Sequence, residues 1–249
     1  MNDFSTHRPA PRLYCEVPLS AGARIELPER AAKHVQALRL RAGDTLTLFC
    51  GDGREWTAKL GTISKRGIEA EVGRSSNVAR ESTLAIHLLQ GVCAGDRMDM
   101  VLQKATELGV ASIQPLLTAR SIVRLSPDRQ ERREAHWQSV VIAACEQCGR
   151  NSIPDVAPSL ALNAYFSAMP VEGVRLLLSP DGSERLRDLP APEGPLHVLV
   201  GPEGGLAGDE KQLALNLGFR AVRFGPRILR TETAPLAAMA AMQALWGDC

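Results

Sequence analysis

Several common signatures are missing from this 249-residue chain, and each absence removes a class of function. No apolar run approaches the roughly 20 residues that a membrane span needs. The opening stretch "MNDFSTHRPAPRLY" has no apolar core of signal-peptide length, so a cytoplasmic location is expected rather than export. The dinucleotide pattern GxGxxG and the phosphate-cradling GxxxxGK[ST] are both absent, which removes the two commonest phosphate loops. Six cysteines are scattered along the chain, without the even spacing of a disulfide framework. One CxxC, Cys145 and Cys148 in "AACEQCGRN", lacks the second pair of ligands that zinc requires and lies near a helix end, so the two read as helix cysteines. His34, His87, His136 and His197 show no metal-ligand spacing, and no metal is expected. Internal repeats and low-complexity tracts are absent too.

What is present divides into two texts. From Leu13 to about Val72 run short strand candidates with turn signals, "RLYCEV", "ARIEL", "DTLTLFCGDG", "EWTAKLGTI" and "GIEAEVG", as in a small β-barrel or sandwich. One helix, "PERAAKHVQALRL", interrupts them, with Pro28 where a helix begins. The polar "GRSSNVARES" at 73–82 reads as a linker. Strands and helices then alternate. "LAIHLLQGV", "SIQPLL", "VRLLLSP", "LHVLVGP" and "AVRFG" are strands, and "VRLLLSP" and "LHVLVGP" have the near-continuous apolar character of a covered parallel sheet. "DRMDMVLQKATELG", "REAHWQSVVIAACEQCG", "DEKQLALNLG" and "APLAAMAAMQALW" are helices. Alternation of this kind argues for a parallel α/β domain. The expected division is 1–74 and 75–249.

Charge follows the same division. Residues 1–80 carry 13 Lys and Arg against 9 Asp and Glu, whereas the remainder carries 16 against 19. A basic first third suits a nucleic-acid-facing module, and equally a solvated surface.

The chemistry gathers at strand ends in the second text. "LLLSPDGS", "LVGPEGGLAGDE" and "FGPRILRTETAP" each end a strand in turn-rich sequence, where open α/β sheets bind small ligands. Glu203 stands where a phosphate would sit, which is electrostatically wrong for an anion. A loop of this kind suits a neutral or cationic ligand read by backbone groups, such as adenine or a sulfonium; a structural turn is the plain alternative.

"LVGPEGG", "FGPRILRTETAPLAAMAAMQALWGD", "QKATELGV" and "WQSVVIAACEQCGRNSIPDV" together resemble the RsmE family of ribosomal RNA methyltransferases, members of the SPOUT superfamily. The match runs in order along nearly the whole chain, including the arm "RPAPRLY". The resemblance implies methylation of N3 of a uridine in small-subunit (16S) ribosomal RNA with S-adenosyl-L-methionine as cofactor. It also implies an N-terminal PUA-like β-barrel, a trefoil-knotted α/β methyltransferase domain, and a homodimer acting on ribosomal RNA or the assembled 30S subunit. Carried over by position, cofactor binding would fall to Leu177 and Leu178, to Val200, Gly201, Pro202, Glu203, Gly204 and Gly205, and to Phe224, Gly225, Arg227, Ile228, Leu229, Thr231 and Thr233. Pro226 would shape the entry to the last loop.

Catalysis needs the N3 proton removed from an unpaired base and the developing charge stabilised. Arg230 is the expected cation and Glu232 the expected proton acceptor, with water, or an ion pair that merely braces the loop, as alternatives. Arg8, Arg12, Arg24, Lys33, Arg39 and Arg41 are the expected phosphate contacts. His7 in the arm and the basic segment 118–134 are further RNA candidates. Two departures from the family are visible: Ala207 stands where related sequences carry a capping serine, which should cost about 0.5–2 kcal/mol of helix stability, and "SPDGSERL" at 179–186 falls where the family varies, so nothing is carried over beyond its first position. Two rival readings remain, a non-catalytic RNA-binding relative and a nucleotide-phosphate enzyme.

Overall fold

The computed structural model describes residues 10–121, 127–168 and 172–249, which fall into two compact units. The first comprises the chain up to Glu81 together with Cys145–Ile153, and the second comprises Ser82–Ala144 and Pro154–Cys249. The polar text expected as a linker is partly strand: pairing continues through Ser76, so the division expected after residue 74 falls inside a strand.

In the first unit β1 (Arg12–Tyr14), β2 (Arg24–Glu26), β3 (Thr45–Phe49), β4 (Glu55–Ile63) and β5 (Ile68–Ser76) form one sheet in the order β1-β3-β4-β5-β2. All its pairs are antiparallel except β1 with β3. Period-two patterning decides its buried face. Leu46 and Leu48, then Trp56, Ala58 and Leu60, then Ile68, Ala70 and Val72 point to one core, which Ala31 and Val35 of helix α1 (Glu29–Ala37) complete. That helix stops earlier than the text "PERAAKHVQALRL" suggests. Arg39 takes φ 56°, a left-handed conformation that terminates the helix and costs a residue with a Cβ about 1 kcal/mol.

The segment 145–153 belongs to this unit through ionic contacts. Arg12 pairs with Glu55, and its other nitrogen donates to Asn151 Oδ1 at 2.7 Å. Arg80 donates to Glu55 at 2.7 Å and to the Gly149 carbonyl at 3.1 Å. Glu81 accepts from Arg150 and from the Asn151 and Ser152 N–H groups. Glu146 accepts the Tyr14 N–H at 2.9 Å. Cys145 is buried and free, and burial pushes its thiol up to about 12, so it is no redox thiolate.

The second unit is a wholly parallel eight-stranded sheet. Its strands are β6 (Ile86–Gly91), β7 (Ser112–Leu117), β8 (Asp155–Val156), β9 (Leu160–Ala161), β10 (Val174–Leu178), β11 (Glu184–Arg185), β12 (Leu196–Val200) and β13 (Arg220–Arg223). Their order is β11-β13-β10-β12-β6-β7-β8, with β9 also on β7. β12 therefore fills a place between two strands that precede it in the chain, and every one of its residues is buried. Helices α2 (Gly95–Glu107), α3 (Pro127–Cys148), α4 (Leu162–Ala168), α5 (Gly208–Asn216) and α6 (Thr233–Trp246) cover the sheet. Helix α3 begins two turns before the apolar periodicity shows it, because "PDRQER" is charged and carries no period. The two-residue strands and the seven-residue α4 were beyond pattern reading for a similar reason: too few residues to display a period.

Helix α5 confirms the cap departure only in part. Ala207 offers no hydroxyl, but Glu210 accepts the Ala207 N–H at 2.9 Å and the Ala119 N–H at 2.7 Å, so half of a capping box survives. Among the described residues no helix is long and apolar enough to cross a membrane, and no group of three His, Cys, Asp or Glu could hold a metal.

His87 of β6 and His197 of β12 stack in the middle of the sheet, ring centroids 5.1 Å apart. Burial lowers both pKa values below the ordinary 6.5, and Arg175 on β10 beside His197 acts in the same direction. Both rings therefore take up protons at a lower pH in the fold than in the unfolded chain, which protonates below about pH 6.5. Stability should be full above that pH and fall as the solution is acidified through it. Melting temperatures between pH 8 and pH 5 test this, and the His197→Leu variant should show a shallower decline.

Candidate active site

The carboxyl ends of β13, β10, β12 and β6 lie side by side, with Val222 beside Leu178, Leu177 beside Leu199, and Val200 beside Gln90. Loops leaving three of these ends enclose a cavity of about 700 Å³. The first loop, after β10, brings Leu177, Leu178, Ser179, Pro180 and Asp181. The second, after β12, brings Val200 through Leu206. The third, after β13, brings Phe224 and Arg227 through Glu232.

The second loop is a tight turn built on glycine. The Gly205 N–H donates to the Pro202 carbonyl at 2.8 Å, and Gly205 has φ 66°. Gly201 is needed for a different reason: a Cβ there would stand 2.9 Å from the Gly205 carbonyl carbon and the Leu206 nitrogen. Outside the turn, Arg120 donates to the Gly204 carbonyl at 2.8 Å.

One hydroxyl joins the loops. Thr231 donates to the Gly201 carbonyl at 2.8 Å and accepts from Gln90 Nε2 at 3.2 Å. Gln90 is fully buried, and its amide also donates to the Gly91 carbonyl at 2.9 Å. The third loop is thereby fixed to the ends of both β12 and β6.

Charge on the inner wall is carried by a triad. Glu203 accepts the Ala94 N–H and one Arg97 nitrogen, each at 2.9 Å. Burial acts to raise its pKa, but these two donors outweigh it and hold the carboxyl below its ordinary value. Glu232, only 8% exposed, lies with Oε2 3.9 Å from Arg97 Nε. The second oxygen of Glu203 and Oε2 of Glu232 are buried without a hydrogen-bond partner. Elsewhere on the wall, Lys211 donates to Asp181 at 2.6 Å, and with Ser179 pulls that carboxyl down to about 2. Close by, burial pushes the Cys93 thiol up to about 12.

Fifteen of the seventeen expected catalytic and cofactor positions line this one cavity; Gly225 and Thr233 do not. Gly225 instead supplies a left-handed turn at φ 75°, and Thr233 opens α6. Arg230 is exposed, and among the described residues it forms no ion pair with Glu232, so the bracing pair considered from sequence is replaced by Arg97. Arg97, Asp181 and Lys211 were not foreseen. The only sequence signal for Arg97 was its place in the first turn of a helix after a strand end, which many surface arginines share.

The expected phosphate contacts fare differently. Arg24, Lys33, Arg39 and Arg41 are at least partly exposed, although Lys33 meets Glu29 at 2.5 Å and Arg24 meets Glu71 at 4.0 Å. Arg12 is corrected: its guanidinium is taken up by Glu55, Asn151 and the Arg150 carbonyl and lies over the Phe49 ring, leaving it no free face for phosphate. Arg8, His7 and residues 122–126 of the second basic segment lie outside the described residues.

Known proteins resemble both units. A family model described as an RNA methyltransferase domain matches residues 80–243, and one described as an RNA methyltransferase PUA domain matches residues 27–73. A "Ribosomal RNA small subunit methyltransferase E" of Buchnera aphidicola is 30% identical over 239 residues, covering 96% of this chain and 97% of the relative. The crystal structure of a protein of that name from Neisseria gonorrhoeae, bound to S-adenosyl methionine, superposes with a TM-score of 0.90 at 45% identity, covering 96% of this chain and 99% of its own. A methyltransferase of Legionella pneumophila in complex with the cofactor SAM gives 0.93 at 38% identity, covering 97% and 100%.

Thr231→Val should cost about 1–3 kcal/mol, because the Gln90 amide and the Gly201 carbonyl each lose a buried partner. Thr231→Ser should recover most of it. Urea denaturation of the three proteins measures both.

Proposed function

The chain belongs to the ribosomal RNA small subunit methyltransferase E family, and from that premise we propose that it methylates N3 of one uridine in small-subunit ribosomal RNA. S-adenosylmethionine is the methyl donor. The observation that carries this reading is the cavity where the "GPEGG" turn, the end of β10 and the "LRTET" loop meet. The fit is chemical as well as spatial. Gly201 and Gly205 line the space with backbone, and the carboxylates of Glu203 and Glu232 in the same wall supply negative charge that favours a cation. When bound, the cofactor supplies an electrophilic methyl group on a sulfonium.

The protein's own residues do the rest. Exposed Arg230 at the cavity wall is the group to hold O2 or O4 of the base and stabilise the imidate as the N3 proton leaves. Glu232, in the same wall, is the acceptor for that proton. Leu177, Leu178, Val200 and Leu229 give the cavity its apolar lining, which displaces water from the reacting atoms.

RNA is held through exposed cations of the first unit, Arg24, Lys33, Arg39 and Arg41, supported by the basic balance of residues 1–80. The active form is a homodimer in the cytoplasm acting on the 30S subunit. Helix α6 supports the dimer: "TAPLAAMAAMQALW" has no charged residue, yet Ala240, Ala244 and Leu245 are exposed. The third loop and α6 form the threaded part of a trefoil knot, a reading supported by the placement of β12 between two strands that precede it.

Small subunits lacking the modification, incubated with methyl-labelled S-adenosylmethionine, should take label at N3 of a single uridine. Arg230→Ala should abolish transfer while leaving cofactor affinity within a few-fold. Full turnover in that variant would remove Arg230 from catalysis, and stabilisation by ATP but not by S-adenosylhomocysteine would overturn the reading itself.

Arg39→Gly separates structure from binding. It should stabilise the fold by about 0.5–1 kcal/mol by relieving the left-handed strain, yet weaken RNA and lower the salt slope by about one. A filter-binding salt titration beside a melting curve tests both halves.

A further inference from the structure

The triad of Arg97, Glu203 and Glu232 has a feature that the reaction itself does not require. Two carboxylates share one guanidinium, so the group carries one surplus negative charge. Its three members come from helix α2, the turn after β12 and the loop before α6, and all three line the cavity. The Glu232 side chain is 11% exposed and its Oε2, 3.9 Å from Arg97 Nε, has no hydrogen-bond partner among the described residues; the second oxygen of the half-buried Glu203 has none either. Buried acceptors of this kind are costly unless a donor or a cation meets them.

Other charges on the wall do not cancel the surplus. Asp181 and Lys211 pair with one another. Arg227 and Arg230 are exposed, and water screens their fields far more strongly than it screens a buried carboxylate. Arg97 is exposed as well, so the two sheltered carboxylates dominate the field at their own end of the cavity, and its sign there is negative.

We propose that Glu203 and Glu232, balanced by Arg97, are the residues by which this enzyme tells its methyl donor from the spent product by charge alone. The inference rests on the cofactor reading above. The donor carries a sulfonium cation and the product a neutral thioether, and the two are otherwise alike in shape. A cavity with one surplus negative charge holds the first more tightly and releases the second. Arg97 sets the size of that difference, since it removes one of the two negative charges.

The charge logic gives opposite signs for two substitutions, which a loss of packing would not. Binding is measured by calorimetry with three probes: S-adenosylmethionine, S-adenosylhomocysteine, and sinefungin, in which a protonated amine replaces the sulfonium. Glu232→Gln should weaken both cationic probes about tenfold while the neutral product stays within about twofold. Arg97→Gln should do the reverse, tightening the cationic probes relative to the product. If either variant changes all three affinities by the same factor, or the two variants act with the same sign, charge discrimination is overturned and the triad only braces the loops. Failure of the wild-type protein to bind any of the three would instead remove the cofactor reading on which the inference stands.

Discussion

The hydroxyl of Thr231 is the contact on which the site depends. It lies between a fully buried glutamine at the end of one strand and the first carbonyl beyond another, and it accepts from one while donating to the other. No apolar side chain of similar size could do both. Because the groups it satisfies are buried, breaking the link leaves polar atoms without water, and the cost is far larger than the small net gain of an exposed hydrogen bond. The loop from Phe224 to Glu232 has almost no regular structure of its own. Its position is decided by this link and by the first turn of α6, where the Arg230 carbonyl accepts from Thr233 and Ala234.

With the loop fixed, the neighbouring groups acquire their roles from geometry. Glu232 is drawn into the wall within reach of Arg97, and Arg97 in turn holds Glu203 of the opposite loop. Arg230, its near neighbour in sequence, is left on the exposed side. Residues two positions apart thus face different surroundings: one carboxylate is desolvated, and one guanidinium is hydrated and free to meet a substrate. The glycine turn completes the enclosure, since any side chain at Gly201 would collide with backbone atoms of the same turn.

The first unit shows the same economy with opposite consequences for its arginines. Arg12 and Arg80 converge on Glu55 and on the segment 145–153, which is distant in sequence, and this consumes charges that look available in a one-dimensional reading. Arg39 remains open at a strained left-handed position, where glycine would be easier. Composition counted both kinds alike. A local imbalance of charge says how many cations a unit has, and only the fold says which are already paired.

Hydrophobic period and turn chemistry are local properties, and so the sequence by itself determined the two-part organisation, the parallel sheet, the major strands and helices, and the three strand-end loops where chemistry gathers. The stretches "LVGPEGG" and "FGPRILRTETAPLAAMAAMQALWGD" carried most of the cavity wall and, with "QKATELGV" and "WQSVVIAACEQCGRNSIPDV", the family. Short elements such as α4, β8 and β11 were lost because two to seven residues cannot show a period. Only the tertiary structure decided that Arg97 balances two carboxylates, that Arg12 is spent on Glu55 and Asn151, and that residues 145–153 join the first unit. Each of these pairs residues from about 40 to 140 positions apart, and which partners meet at such separations is settled by how strands order in a sheet, not by any pattern along the chain.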